Sequence, residues 1–303
     1  MFFKILNTSL YILKLFLLLA LLVLLIIHFL IKDRFFSLSI IYYACPLPLL
    51  ILFGIGLTVA FYKRKRLFYP LLVLMSGLSI YFFTHYFGAE AEKKSGDIHT
   101  VVFWNMAQNN PIPSEILIET INKEQPKIIG LVEALPSQID LAVLKMALPK
   151  YQFKRLYGTT LVGVKGTIED VQFKAESNVY KFNLVTATVD GKTLRVVIAD
   201  VNAVPFSNKK IPLGIIHQFS KQNDVDMIMG DFNTPYESVF FREYKVDYKS
   251  FHPFSLGMTS TWPTPTPVIE IDQIWLRKSL HPVKLRKVCF EISDHKMLIA
   301  EYQ

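Results

Sequence analysis

Three long apolar runs dominate the first third of the chain, at residues 10–31, 38–61 and 67–87. Each is about 20 residues or longer, enough to cross roughly 30 Å of hydrocarbon as a helix. Backbone polar groups in lipid must be satisfied within the segment, so helices are the form expected. A cleaved leader fits the first run poorly. It is too long, no small-x-small site follows it, and Lys32-Asp33-Arg34 leads straight into the second run. Pro46 and Pro48 should kink the second helix, and His28 and His85, near span ends, are expected at the interface.

The composition agrees with a membrane part joined to a folded part. Hydrophobic residues make up 51% and charged residues 19% of 303, with mean hydropathy +0.32. That excludes a disordered or collagen-like chain. Two cysteines, Cys45 and Cys289, exclude a disulfide scaffold, and Cys289 reads as a small buried hydrophobe. The net charge of +8 is unevenly placed. Ten of the 33 basic and three of the 25 acidic residues fall in 1–95, which leaves 23 and 22 for 96–303. The basic character belongs to the membrane part, and the rest carries no global footprint for nucleic acid.

Basic loops stay cytoplasmic, and the tightest cluster is Lys63-Arg64-Lys65-Arg66, between the second and third runs. The expectation is an integral protein of a plasma or inner membrane, with a cytoplasmic N-terminus and residues after the third span outside the cytoplasm. The expected domains are a membrane region at 1–87, a small polar linker at 88–97 and a globular domain at 98–303.

In the globular part the texture changes. Strands are expected at 99–104, 127–132, 152–156, 160–164, 170–174, 181–189, 193–199, 226–229, 271–276 and 296–301. Helices are expected at 115–123, 136–147 and 209–221. This order suits mixed sheets with helices outside them, an α/β sandwich.

Several polar residues sit at strand ends, where α/β folds place functional groups. Gly230-Asp231-Phe232-Asn233 follows an apolar strand. Asp231 and Asn233 either face one ligand or close a turn on their own backbone. Ser293-Asp294-His295 precedes the last strand and offers a carboxylate beside an imidazole. Asp272 lies inside a strand otherwise of Ile and Trp, and a carboxylate buried there needs a partner. Asn105 ends the first strand and Glu133 the second.

Taken in order, Trp104-Asn105, Glu133, the GDFN turn, Thr261-Trp262-Pro263, Ile271-Asp272 and the SDH triplet resemble the endonuclease/exonuclease/phosphatase superfamily over about 98–303. The resemblance implies a four-layered α/β sandwich, two facing mixed sheets flanked by helices, here preceded by three transmembrane helices. It implies metal-binding roles for Asn105, Glu133 and Asp294. Asp231 would orient or deprotonate the attacking water, Asn233 would bind the scissile phosphate, and His295 would be the catalytic histidine held by Asp272.

The implied activity is a membrane-anchored phosphoesterase that hydrolyses phosphodiesters in the manner of a nuclease, by attack of water assisted by Mg²⁺ or Mn²⁺. The partners are a nucleic acid or phospholipid substrate and the lipid bilayer, and no protein partner is inferable. A lipid head-group phosphodiesterase is the alternative, and a degenerate binding domain a further one. One departure stands out. Relatives of nuclease type carry a second His where residues 199–205 read Ala-Asp-Val-Asn-Ala-Val-Pro, leaving Asp200 or Asn202 in its place. Lys154-Arg155 and Lys209-Lys210 read as solvated surface, Trp262 as loop packing, and His217 as surface or core.

If the resemblance holds, Glu133→Gln abolishes metal-dependent turnover with little effect on folding. Wild-type activity and metal dependence in that variant would refute the assignment.

Overall fold

The structure, a computed structural model, describes residues 2–92, 96–108 and 114–303, with side chains from residue 6 onward. The chain forms two compact units, Met1–Tyr86 and Phe87–Gln303.

The first unit holds α1 (Phe2–Ile26), a π-helical turn at Ile27–Ile31, α2 (Phe36–Ala44), α3 (Leu47–Ala60) and α4 (Lys65–His85). The helix through Ile31 and α4 are each long and apolar enough to span a membrane. The second run differs from a single kinked helix. It breaks into α2 and α3, which meet at 68°, so the unit holds three spans if that bent pair counts as one. The cause is local: Pro46 ends the first piece and Pro48 stands in the first turn of the next, where its missing N–H costs nothing. Leu21, Leu57 and Met75 pack at the centre, while Phe16, Leu52 and Val73 face outward. An apolar exterior of this kind suits lipid. Lys14 turns its amine to the carbonyl of Ala60 (2.9 Å), at the end of α3. His28 is buried on the π turn against Phe29 and Tyr42.

The second unit is built from two six-stranded sheets. In chain order its elements are β1 (Phe87–Gly88), β2 (His99–Asn105), α5 (Ser114–Glu124), β3 (Ile128–Val132), α6 (Leu141–Ala147), β4 (Gln152–Leu156), β5 (Thr160–Val164), β6 (Thr167–Glu176), β7 (Tyr180–Val189), β8 (Lys192–Val201), α7 (Lys210–Gln222), β9 (Met227–Asp231), α8 (Arg242–Asp247), β10 (Tyr248–Ser250), β11 (Gly257–Met258), β12 (Asp272–Arg277), β13 (Pro282–Val288) and β14 (Met297–Tyr302). One sheet runs β13-β14-β2-β3-β5-β4 and the other β10-β12-β9-β8-β7-β6. Only β2–β3 and β8–β9 are parallel pairs among those within the two sheets. Residues 87–91 lie along this unit: β1 pairs β11, and the Ala91 N–H reaches the Val283 carbonyl at 2.9 Å.

Strand side chains alternate between faces, and here both faces are covered. On β2, Val101 and Phe103 enter the core between the sheets, while Val102 and Trp104 meet α5 and α6. On β9, Met227 and Met229 face inward and Ile228 faces α7 and α8. The result is four layers: helices, sheet, sheet, helices. Complete burial of a Phe or Leu contributes about 1.5–3 kcal/mol, so the three clusters together dominate stability.

The helix expected at 136–147 begins later. Asp140 accepts from the backbone N–H groups of Ala142 and Val143 and starts α6 at Leu141. Strand β13 was not anticipated, because alternating Lys and Arg in PVKLRKV hide its apolar face. Cys289 is exposed rather than buried, since it lies just past the end of β13.

The sheets approach closely beneath the strand ends. A Cβ built on Gly130 of β3 would lie 2.7 Å from Met229 Sδ on β9. Gly130→Val should therefore overpack the core and cost about 1–3 kcal/mol in urea denaturation. An unchanged unfolding midpoint would show that the sheets are not in contact there.

Candidate active site

The alternation that builds the core also places the polar groups. Continuing the inward series two residues at a time, β2 ends on Asn105, β9 on Asp231 and β8 passes through Asp200, while β12 begins at Asp272. Asp231 pairs in register with Asp200 on one side and Asp272 on the other, and Asp200 pairs in turn with Lys181 of β7. Side chains directly across neighbouring strands share a face. A row Lys181–Asp200–Asp231–Asp272 thus crosses one sheet and faces Asn105 of the other.

Asn105 is completely buried and joins the two sheets. Its amide donates to Asp231 Oδ2 (2.8 Å) and to Glu133 Oε1 (3.2 Å), and its carbonyl accepts from the Ala107 N–H (2.9 Å). Glu133 directly follows β3 with φ +54°, a left-handed conformation uncommon for a side chain of this size. Such strain persists only where surroundings impose it, and it clusters at functional sites. The Ala134 N–H bonded to the Thr159 carbonyl (2.8 Å) and Arg155 bonded to the Ala134, Pro136 and Ile139 carbonyls hold the loop that follows. Arg155 is therefore a brace rather than solvated surface, a role no local pattern announces.

Asp231 is held from the GDFN turn. Its Oδ1 accepts from the Asn233 N–H (2.9 Å) and its Oδ2 from the Asn233 amide (3.1 Å), which also reaches the Val201 carbonyl (2.8 Å). The turn closes on its own backbone and also faces the site, so the two readings of GDFN are not exclusive. Burial pushes the Asp231 carboxyl well above the usual range, and Asp272 adds to this.

His295 is buried with Nδ1 against the Asp272 carboxylate, at 2.9 and 3.1 Å. Its Nε2 faces Asp231 Oδ2 at 3.9 Å and Asp294 Oδ1 at 3.8 Å. Burial disfavours the imidazolium, but Asp272 outweighs it, and the ring is pushed up to about 10. The backbone around it is strapped down by contacts that single motifs did not reveal. The Ser293 hydroxyl donates to the Asn105 carbonyl (2.8 Å) and accepts from the His295 N–H (3.0 Å), and the Trp104 indole donates to the His295 carbonyl (3.1 Å). The N–H of Asp272 is bonded to the Thr261 hydroxyl at 3.2 Å.

Asp294 stands at the rim, its side chain 50% exposed, with Oδ2 accepting from the Trp262 indole at 2.8 Å. Trp262 thus packs its loop and also orients a carboxylate. Lys209, expected on the surface, is 1% exposed, and its amine is bonded to the Asn202 carbonyl. Burial lowers it to about 8, against the pull of Asp231. His217 is buried in α7, with Nε2 3.0 Å from Asp247 Oδ2.

Five carboxylates converge here, those of Glu133, Asp200, Asp231, Asp272 and Asp294, against the cationic Lys181, Lys209 and His295. The closest triple of possible metal-holding groups among the described residues is Asp231, Asp272 and His295. The Asp272–His295 pair already satisfies itself. Glu133, Asp294 and the Asn105 carbonyl are oxygen donors not engaged in it.

Residues 102–295 match the Endonuclease/Exonuclease/phosphatase family. No curated protein sequence matches the chain. Among solved structures, D. rerio TDP2 complexed with a single-strand DNA product superposes with a TM-score of 0.56 at 14% identity, covering 69% of this chain and 100% of that one. An endonuclease/exonuclease/phosphatase protein of Bacteroides vulgatus gives 0.55 at 15%, covering 69% and 99%. A mannosyl-6-phosphatase of Bacteroides thetaiotaomicron gives 0.51 at 14%, covering 68% and 99%. At these identities the likeness is one of fold.

Removing the amide of Asn105 brings carboxylates together without a donor between them. Asn105→Asp, measured in EDTA, should lower unfolding stability by about 1–3 kcal/mol. Stability equal to wild type would mean that the amide bridge does not hold the two sheets' carboxylates.

Proposed function

This chain belongs to the endonuclease/exonuclease/phosphatase family, and from that premise we propose that it is a membrane-anchored phosphoesterase that hydrolyses phosphodiesters with a divalent cation, Mg²⁺ or Mn²⁺. The observation that carries the reading is the convergence of Asn105 and Glu133 from one sheet with Asp231, Asn233 and Asp272 from the other, around the imidazole of His295.

The donor set fits a hard cation. Glu133 and Asp294 offer oxygen ligands of the kind Mg²⁺ prefers, Asn105 would add its side-chain carbonyl with the amide turned over so that the oxygen rather than the NH2 faces Glu133, and the excess of buried carboxylates favours positive charge. When bound, the ion would neutralise charge developing on the phosphoryl oxygens. The remaining work falls to the chain. Asp231, whose proton affinity burial raises, would accept the proton of the attacking water. Asn233 and Asn105 fix the direction of that carboxylate, and Asn233 borders the place of the phosphate. Asp272 keeps His295 protonated and aimed, so that its Nε2–H faces the anionic transition state and can protonate the leaving oxygen.

Residues 98–303 would form the catalytic domain and 1–87 the anchor, and of the stretch 88–97 expected as a linker residues 88–91 are hydrogen-bonded along the globular unit. With three crossings and the 63–66 cluster on the cytoplasmic side, catalysis would take place outside the cytoplasm. One observation favours a lipid-type substrate over nucleic acid. The loop after β8 exposes Val204 (47%) and Phe206 (63%), an apolar rim beside the strand end that carries Asp200. The near-balance of charge in residues 96–303 points the same way, since nucleic-acid binding depends largely on phosphate neutralisation.

The test is hydrolysis by the full chain in nanodiscs, with plasmid DNA, RNA, sphingomyelin, phosphoinositides and bis(p-nitrophenyl) phosphate, each with Mg²⁺ and with EDTA. EDTA-sensitive turnover is expected, reduced roughly 100- to 10,000-fold in His295→Ala. Absence of such turnover on every substrate would contradict the proposal.

A further inference from the structure

Four exposed apolar residues stand in a row beside the catalytic strand ends. Ala203, Val204, Pro205 and Phe206 follow shortly after β8, and Ile211 is exposed in the first turn of α7. A run of this length on a surface is a fault unless it has a use. Contiguous exposed apolar surface marks a place of interaction. The run has no negative charge near it in sequence. From Val201 to Asn223 the chain holds no acidic residue, while Lys210 is exposed next to Ile211.

The loop that carries them is closed on itself. The Val204 N–H donates to Asn202 Oδ1 (2.6 Å), and the Val204 carbonyl accepts from the Ser207 N–H (3.1 Å) and hydroxyl (2.8 Å). Both backbone groups at the tip are therefore satisfied without water, as entry into a medium of low polarity requires. The stem is fastened as well. The Asn202 N–H donates to the Val179 carbonyl (3.1 Å), its amide is bonded to the Asn178 carbonyl, and the buried Lys209 amine is bonded to the Asn202 carbonyl. The Val201 carbonyl accepts from the Asn233 amide (2.8 Å), which ties the root of the loop to the GDFN turn. A loop held this way loses little conformational entropy on docking.

The rest of the chain names what covers this surface. The helix through Ile31 and α4 are long and apolar enough to cross a bilayer. No spacer separates the two units in sequence: Tyr86 closes the first, and Phe87 is already paired with Met258 in the second. A domain tethered so closely meets the bilayer at high effective concentration. Aliphatic and aromatic side chains next to a lysine, with no acid among them, match the headgroup boundary. Apolar groups are buried there, and basic groups meet lipid phosphates.

We propose that residues 203–211 are a preformed membrane-docking loop, whose Val204, Phe206 and Ile211 enter the headgroup boundary of the bilayer that anchors the chain while Lys210 lies among its phosphates. The inference rests on the membrane-anchored part of the reading above and not on its catalytic part. Docking would bring the end of β8, with Asp200, next to the lipid headgroups.

Single tryptophan substitutions read the contact in the full chain. The protein is reconstituted in vesicles of phosphatidylcholine and phosphatidylglycerol, with and without brominated acyl chains, which quench only tryptophans that reach them. All positions are exposed: Phe206→Trp in the loop, Val73→Trp on the outward face of α4 and Met146→Trp on α6. The emission of the three native tryptophans, measured in the wild type, is subtracted. The emission added by Phe206→Trp should fall roughly twofold or more in brominated lipid, since interfacial apolar groups sit about 5–10 Å into the headgroup boundary. Val73→Trp should be quenched too, and Met146→Trp should not. Should Phe206→Trp fail to fold, Val204→Trp carries the test. An unquenched loop beside a quenched Val73→Trp would overturn the docking and leave the anchor standing. Loop emission that turns blue only as protein density rises would overturn it in favour of a second copy of the chain. Quenching of Met146→Trp equal to that of the loop would overturn it as well, because contact would not be confined to the loop. An unquenched Val73→Trp would refute the anchored reading, and the docking with it.

Discussion

A single buried amide makes the two sheets one site. Asn105 ends a strand of the first sheet, yet its side chain donates to a carboxylate at the end of a strand in the second. Its other bond reaches Glu133 on its own sheet. Without a donor between them, Asp231 and Glu133 would be neighbouring carboxylates in a poorly solvated space, which is costly. With it, they become a fixed pair at the edge of a rigid core. His295 is tied to the same point twice, through Ser293 to the Asn105 carbonyl and through the Trp104 indole.

The deeper constraint is the two-residue period of the strand. The apolar series Val101, Phe103 and Met227, Met229 fills the space between the sheets, and the same parity carried one step further puts Asn105 and Asp231 into that space at its end. Core packing and site geometry are thus one pattern. A register slip in either strand would turn its functional side chain to the opposite face together with its hydrophobic set.

Much of this was legible in the sequence. The apolar strands preceding Asn105, Glu133 and Asp231 marked both the core and the strand ends, and the burial of Asp272 among Ile and Trp announced a partner, found in His295. The lines that failed have physical reasons. Basic side chains alternating along β13 masked its apolar face. Asp140 capped α6 four residues inside the expected helix. Lys209 carries a charge but spends it in the interior on a backbone carbonyl, which no local pattern encodes. Asp200 stood out as a candidate for the place of the second His, but its pairing with Lys181 was readable only through register, because the two belong to neighbouring strands and Lys181 stands in no motif.

The account stands or falls on where a divalent ion binds. Anomalous diffraction from crystals of the full chain grown with Mn²⁺ measures that directly. It should show a peak at coordination distance from the Glu133 carboxylate, with the His295–Asp272 pair intact. A peak seated between Asp272 and His295 with that pair broken, or none beside Glu133, would contradict it.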